Sequence, residues 1–116
     1  MSLPSIQSHN EEAAAVWAAF RAGKPIRPPV HLGTQLQYFL KNEALNPGEA
    51  LSFEDYLTDG RKMLDFQLRY QAWRGEHIAP YCDDLIGLPD EFVVRVDLQN
   101  HDEAAFFGAP VVFIPH

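Results

Sequence analysis

Two short runs of β-branched and aromatic residues, FVVRVDL at 92–98 and PVVFI at 110–114, flank the densest polar cluster in the chain, Asp97 to Glu103. Short apolar runs bounded by turn residues are the pattern of strands buried on both faces, which pair in parallel sheets. A polar cluster at the end of such a strand stands where parallel α/β folds carry their chemistry. These two runs therefore predict an α/β protein, with helices supplied by the rest of the chain.

The helical pattern upstream agrees. Asn10 is the predicted cap of a first helix, with Glu11 and Glu12 suited to its positive end. Ala13, Val16, Trp17 and Phe20 recur at helical spacing toward the core, and Gly23 follows as the stop. Residues 1–8 are expected to be a disordered or tag-derived N-terminus, and residues 9–116 a single α/β domain. The prolines of KPIRPPVHLG bar a central helix, so Val30, His31 and Leu32 read as a short extended segment ending at Gly33. His31 there reads as a hydrogen-bonded histidine rather than a ligand. Thr34 is the expected cap of a short helix over 34–42, and NPG at 46–48 is a turn. SFED at 52–55 has the outline of a capping box, and Thr58 and Asp59 give a second start. Met63, Phe66, Tyr70 and Trp73 then form an apolar stripe on a helix of about 59–74 that Gly75 closes. The stretch 75–91 is loop, and HDEAAFFG at 101–108 is a short helix ending at Gly108.

Composition limits the partners. A net charge of −7 with scattered Lys and Arg opposes binding to nucleic-acid backbones and to anionic membrane surfaces. No apolar run reaches the roughly 20 residues of a membrane span, and MSLPSIQSHN has neither the basic start nor the apolar core of a secretory signal. Cys82 is the single cysteine, so no disulfide forms within the chain, and a reducing, cytoplasmic location is expected.

Among residues that could carry chemistry, Asp97 is foremost, a strand-end carboxylate able to accept protons or bind cationic groups; a cap for the following helix is the plainer role for it or for Asp102. Gln99 and Asn100 could offer amide hydrogen bonds, and both are ordinary turn residues. His77, Cys82, Asp83 and Asp84 make a loose set of metal-ligand types at no zinc spacing. Adjacent aspartates in a proline-containing loop are ordinarily solvated.

The order W-x-x-F-x-x-G-K-P-x-R-x-P-V-x-L-G, S-F-x-D-Y-x-x-D, W-R, G-L-P-D-E-F and V-D-L-Q-N-x-x-E-A-x-F-F-G resembles the uroporphyrinogen decarboxylase-like superfamily. The branch it is similar to comprises decarboxylase-domain proteins akin to cobalamin-dependent methyltransferases. The resemblance runs from Trp17 to Phe113 and is most specific in VDLQNHDEAAFFG. It implies a TIM barrel, of which these residues would be an incomplete N-terminal part, because a full barrel takes roughly 250 residues. It implies decarboxylation or corrinoid-linked methyl transfer in the whole enzyme, with this part inactive alone. Asp97 matches the family's substrate-orienting aspartate, and Gln99, Asn100 and His101 would lie near it. Gln37, in GTQLQYF, falls where the family carries a carboxylate-binding arginine, and an amide cannot supply that charged bidentate fork. The family's possible zinc and corrinoid partner have no ligands to carry over here, so no cofactor is expected in this chain. An uncovered strand edge at PVVFI would favour a homo-oligomer. The competing expectation is a self-contained small α+β homo-oligomeric binding or assembly protein.

Overall fold

The computed structural model describes residues 5–48, 51–97, 104, 106–110 and 112–114. Three α-helices organise it: α1, Ile6–Arg21; α2, Phe53–Thr58; and α3, Gly60–His77. Single 3₁₀ turns occur at Leu36–Phe39 and Ala79–Tyr81. The chain divides into two compact units, one of Met1–Gln35 with Arg69–Phe92 and one of Leu36–Leu68 with Val93–His116.

In the first unit, α1 begins earlier than its sequence suggests. Ser5 is the cap, its Oγ accepting from Ser8 N at 3.1 Å. Asn10 sits inside the helix and uses its amide elsewhere. Its Nδ2 donates to Ile86 O at 3.1 Å, and its Oδ1 accepts from Ile86 N at 2.8 Å. Ala13 and Val16 are buried as their spacing predicts, whereas Phe20 is half exposed and meets Trp17 edge-on. Gly23 follows the helix with φ +73°, the left-handed stop that glycine tolerates best. Trp73 stacks between Tyr70 and His77 on the last turns of α3. That helix runs past Gly75 to His77. Gly75 has another role: a Cβ there would overlap the Gly87 carbonyl, whose own amide donates to Gly75 O at 3.0 Å.

In the second unit, Ser52 caps α2 by accepting from Asp55 N at 3.0 Å. Asp59 opens α3 by accepting from the amides of Arg61 and Lys62. The expected stripe is the core here. Phe66 and Tyr56 are fully buried and edge-on to each other, and Met63 is buried beside them. NPG forms the expected turn. Gly48 has φ +79°, and buried Asn46 donates from Nδ2 to Leu40 O at 2.7 Å. The helix expected over 34–42 contracts to the 3₁₀ turn, and Thr34 bonds the Tyr70 hydroxyl instead of capping. Of the short helix expected at 101–108, the described residues show a helical turn at Ala104 and Phe106, with Ala109 N donating to Ala104 O.

The α/β expectation fails: no strand occurs among the described residues, so neither the incomplete TIM barrel nor the single α/β domain describes this molecule. The described parts of 30–32, 92–98 and 110–114 are neither helical nor strand. The physical reason is that a strand exists only as one side of a ladder, and β-branched composition supplies the preference without the partner. Isolated bonds take over part of that pairing. The Gln67 side-chain amide bonds both the N–H and the C=O of Arg95; the Asp83 carboxylate accepts from Val30 N, and the Asp83 backbone N–H donates to Val30 O. Most described apolar residues of these runs remain open to solvent, with Val96 80% and Val112 78% exposed. The strand edge expected to drive oligomer formation is likewise absent among the described residues.

Candidate functional site

Asp97, the foremost residue of the sequence reading, lies half-buried in the second unit within a chain of four hydrogen bonds. The chain starts on α3. Gln67 is a polar residue on the apolar stripe, only 6% exposed, and a buried amide must find partners. Its Oε1 accepts from Arg95 N at 3.0 Å, and its Nε2 donates to Arg95 O at 2.8 Å. The same Nε2 donates to the Tyr56 hydroxyl at 3.2 Å. Tyr56 in turn donates to Asp97 Oδ2 at 2.8 Å. The Asp97 amide donates to Met63 Sδ at 3.3 Å, which fixes the backbone beneath the carboxylate. Burial drives the Tyr56 phenol well above its ordinary pKa, and its hydrogen bond to Asp97 adds to the shift. Tyr56 therefore stays protonated across the physiological range and serves as a permanent donor.

Gln99, Asn100 and His101 lie outside the described residues. Gln37 belongs to the 3₁₀ turn Leu36–Phe39.

The first unit holds a second polar network, built on Asp83 and Asp84. Asp83 is not the solvated loop aspartate its sequence context suggests: it is 6% exposed. Its carboxylate accepts from Arg27 Nη1 at 2.7 Å, from Arg27 Nη2 at 2.6 Å and from Val30 N at 2.6 Å. Its carbonyl accepts from Trp17 Nε1 at 2.6 Å. Arg27 holds the Asp83 carboxyl down to about 2, against the opposing effect of burial, and is itself raised by that hydrogen bond. Asp84 accepts from Arg74 at 2.5 Å and from the Cys82 thiol at 3.2 Å, and pairs with His31 Nδ1 at 3.0 Å. Burial raises the Asp84 carboxyl, but the bonds from His31, Arg74 and Cys82 outweigh it and leave the group below its ordinary value. A cavity of about 300 Å³ opens beside this network, lined in part by His9, Glu12, Arg27, Tyr81 and Cys82. Arg27 there is already shared between Asp83 and Glu12, so the charges of the wall are satisfied internally.

These residues do not fit a zinc ion. Among the described residues no three His, Cys, Asp or Glu side chains are grouped to hold a metal. Of the set His77, Cys82, Asp83 and Asp84, His77 stacks on Trp73 and the carboxylates are engaged by arginines. Among the described residues no helix is long and apolar enough to cross a membrane.

The sequence analysis named Asp97, did not single out Gln67, and read Asp83 as a solvated loop aspartate or loose metal-ligand type, whereas it is buried against Arg27. The signal for Gln67 was available: it interrupts the apolar face next to Phe66 and four residues after Met63, where a polar side chain implies a buried partner. Asp83 gave no such signal, because its donors lie 53 and 56 residues away. No protein-family model, curated protein or solved structure matches the chain.

Proposed function

We propose that the chain supplies the substrate-orienting carboxylate of a uroporphyrinogen decarboxylase-like enzyme, a decarboxylase or a corrinoid-linked methyltransferase, and that Asp97 is that carboxylate. The observation that carries this reading is the hydrogen bond from Tyr56 to Asp97, 41 residues apart in the chain. It joins the S-F-x-D-Y piece of the resemblance to its V-D-L-Q-N piece, the most specific one. A half-buried carboxylate anchored from below accepts hydrogen bonds from N–H groups or binds a cationic group of a small molecule. Polycarboxylate recognition by an arginine fork is not part of the proposal, since Gln37 has no guanidinium.

The test is turnover by the protein that carries this chain. Carbon dioxide release from a porphyrinogen and thiol-dependent demethylation of methylcobalamin separate the two reactions. Asp97→Ala lowers the active one by about 10- to 100-fold, the scale of one hydrogen bond to a charged group. Its thermal midpoint stays within a few degrees of the wild type. Loss of stability in proportion to activity, or unchanged turnover, overturns the assignment.

A self-associating binding or assembly protein is the second reading, favoured by the exposure of Val96, Phe106, Phe107 and Val112. Sedimentation equilibrium giving one fixed small oligomer, together with no turnover in either assay, supports it over the first.

A further inference from the structure

The hydrogen bonds beneath Asp97 have a direction, and we infer that Gln67 and Tyr56 are positioning residues that together aim one proton at Asp97. This inference rests on the reading of Asp97 as the anchor and adds what sets its state.

The direction begins at the Arg95 backbone. A backbone N–H can only donate and a C=O can only accept, so the two bonds to Arg95 fix which end of the Gln67 amide is oxygen and which is nitrogen. With that orientation fixed, Gln67 presents N–H and no acceptor to the Tyr56 hydroxyl. A phenol has a single proton. With Gln67 donating to its oxygen, that proton has no acceptor on the Gln67 side and points to Asp97 Oδ2. In that bond Asp97 Oδ2 is the acceptor, so a proton of its own would have to point away from Tyr56, and the bond favours the bare carboxylate. Gln67 thus acts through Tyr56 to hold Asp97 as an acceptor on its Oδ2 side. Tyr56 is pinned for this task, fully buried with its ring edge-on to Phe66.

The arrangement predicts an unusual equivalence between two dissimilar substitutions. Tyr56→Phe removes the proton. Gln67→Glu keeps the size of the side chain and its acceptor for Arg95 N but replaces the nitrogen that donates to both Arg95 O and Tyr56 with a carboxylate oxygen. At pH 8 that carboxylate competes for the phenolic proton and draws it off Asp97. Simple packing roles predict no such kinship.

The experiment records the ¹³Cγ resonance of Asp97 in the full chain at pH 8 for the wild type, Tyr56→Phe and Gln67→Glu. Turnover in the two assays above is measured for the same variants and for Asp97→Ala. The expected result is that both variants move the Asp97 resonance in the same direction and lower turnover by about 10-fold. An Asp97 resonance that stays in place in both variants overturns the inference, even when Asp97→Ala abolishes turnover and the anchor reading stands. A resonance that moves in Tyr56→Phe alone overturns the part assigned to Gln67. If both variants move the resonance while Asp97→Ala leaves turnover intact, the directed chain is upheld and the anchor reading falls. Should Tyr56→Phe fail to fold, Gln67→Glu alone decides the direction.

Discussion

Asp83 shows how one side chain can organise a loop-rich region. Its carboxylate and carbonyl together accept from Arg27, Val30 and Trp17, so four donor groups meet at one residue. The carboxyl titrates near 2 in the folded chain against an ordinary 3.8. A depressed acid stabilises the fold at every pH above its unfolded value and loses that contribution as pH falls through its folded value. Asp84 is shifted in the same direction. Thermal unfolding followed by circular dichroism should therefore show no loss from these groups above about pH 5, and a decline between about pH 4 and pH 2. Asp83→Asn should flatten the lower part of that decline. At pH 7 it should cost about 1–2 kcal/mol, less than a fully buried pair because Arg27 is 41% exposed and screened. A pH profile unchanged by the substitution would remove Asp83 from this role.

At the scale of elements, the helices were largely legible and the extended segments were not. The stripe Met63, Phe66, Tyr70 is buried as its spacing predicts, and Asp59 and Ser52 cap the helices that follow them. Local chemistry decides such features, so a local reading finds them. Strand formation depends on a partner elsewhere in the chain, and the runs at 92–97 and 112–114 meet single side chains or solvent instead. Gly75 was read as a stop because glycine ends helices, but its cause is the close approach of Gly87, which itself has φ +110°. Gly75→Ala gains about 1 kcal/mol of helix propensity and meets a backbone carbonyl that cannot turn aside, for a net loss of about 2 kcal/mol. Gly60→Ala, where a Cβ meets nothing within 4 Å, should be neutral or stabilising. Urea denaturation of the two variants checks both signs; equal midpoints would show that the Gly75 approach does not matter.

At the scale of the molecule, several large apolar side chains remain open. Val93, Val96, Phe106, Phe107, Val112 and Ile114 are each more than 70% exposed. Groups of this kind bind hydrophobic dyes and mark surfaces that another body covers. The native chain should enhance the fluorescence of an anilinonaphthalene dye, and Val96→Lys should reduce that signal while changing stability by no more than about 0.5 kcal/mol. Dye binding unaffected by Val96→Lys would place the dye elsewhere. Asp97 could be named because it ends an apolar run and because a motif pointed to it, whereas its support from Gln67 and Tyr56 depends on folding that brings residues 56, 67 and 97 together.

The Arg27–Asp83 pairing also governs when the first unit can be completed. It spans 56 residues, and residues 36–68 of the second unit lie between its ends. Closing so long a loop costs entropy before any contact rewards it. Helices α1 and α3 form from neighbours in sequence, but the clasp between the segments that follow them must wait for the intervening chain. The pair belongs on the late side of the folding barrier, where weakening a contact hastens escape from the native state and leaves the refolding rate nearly untouched. In stopped-flow experiments Asp83→Asn should steepen neither limb, raise the unfolding limb and leave the refolding limb in place; a slowed refolding limb would instead make this long-range clasp the nucleus of the fold.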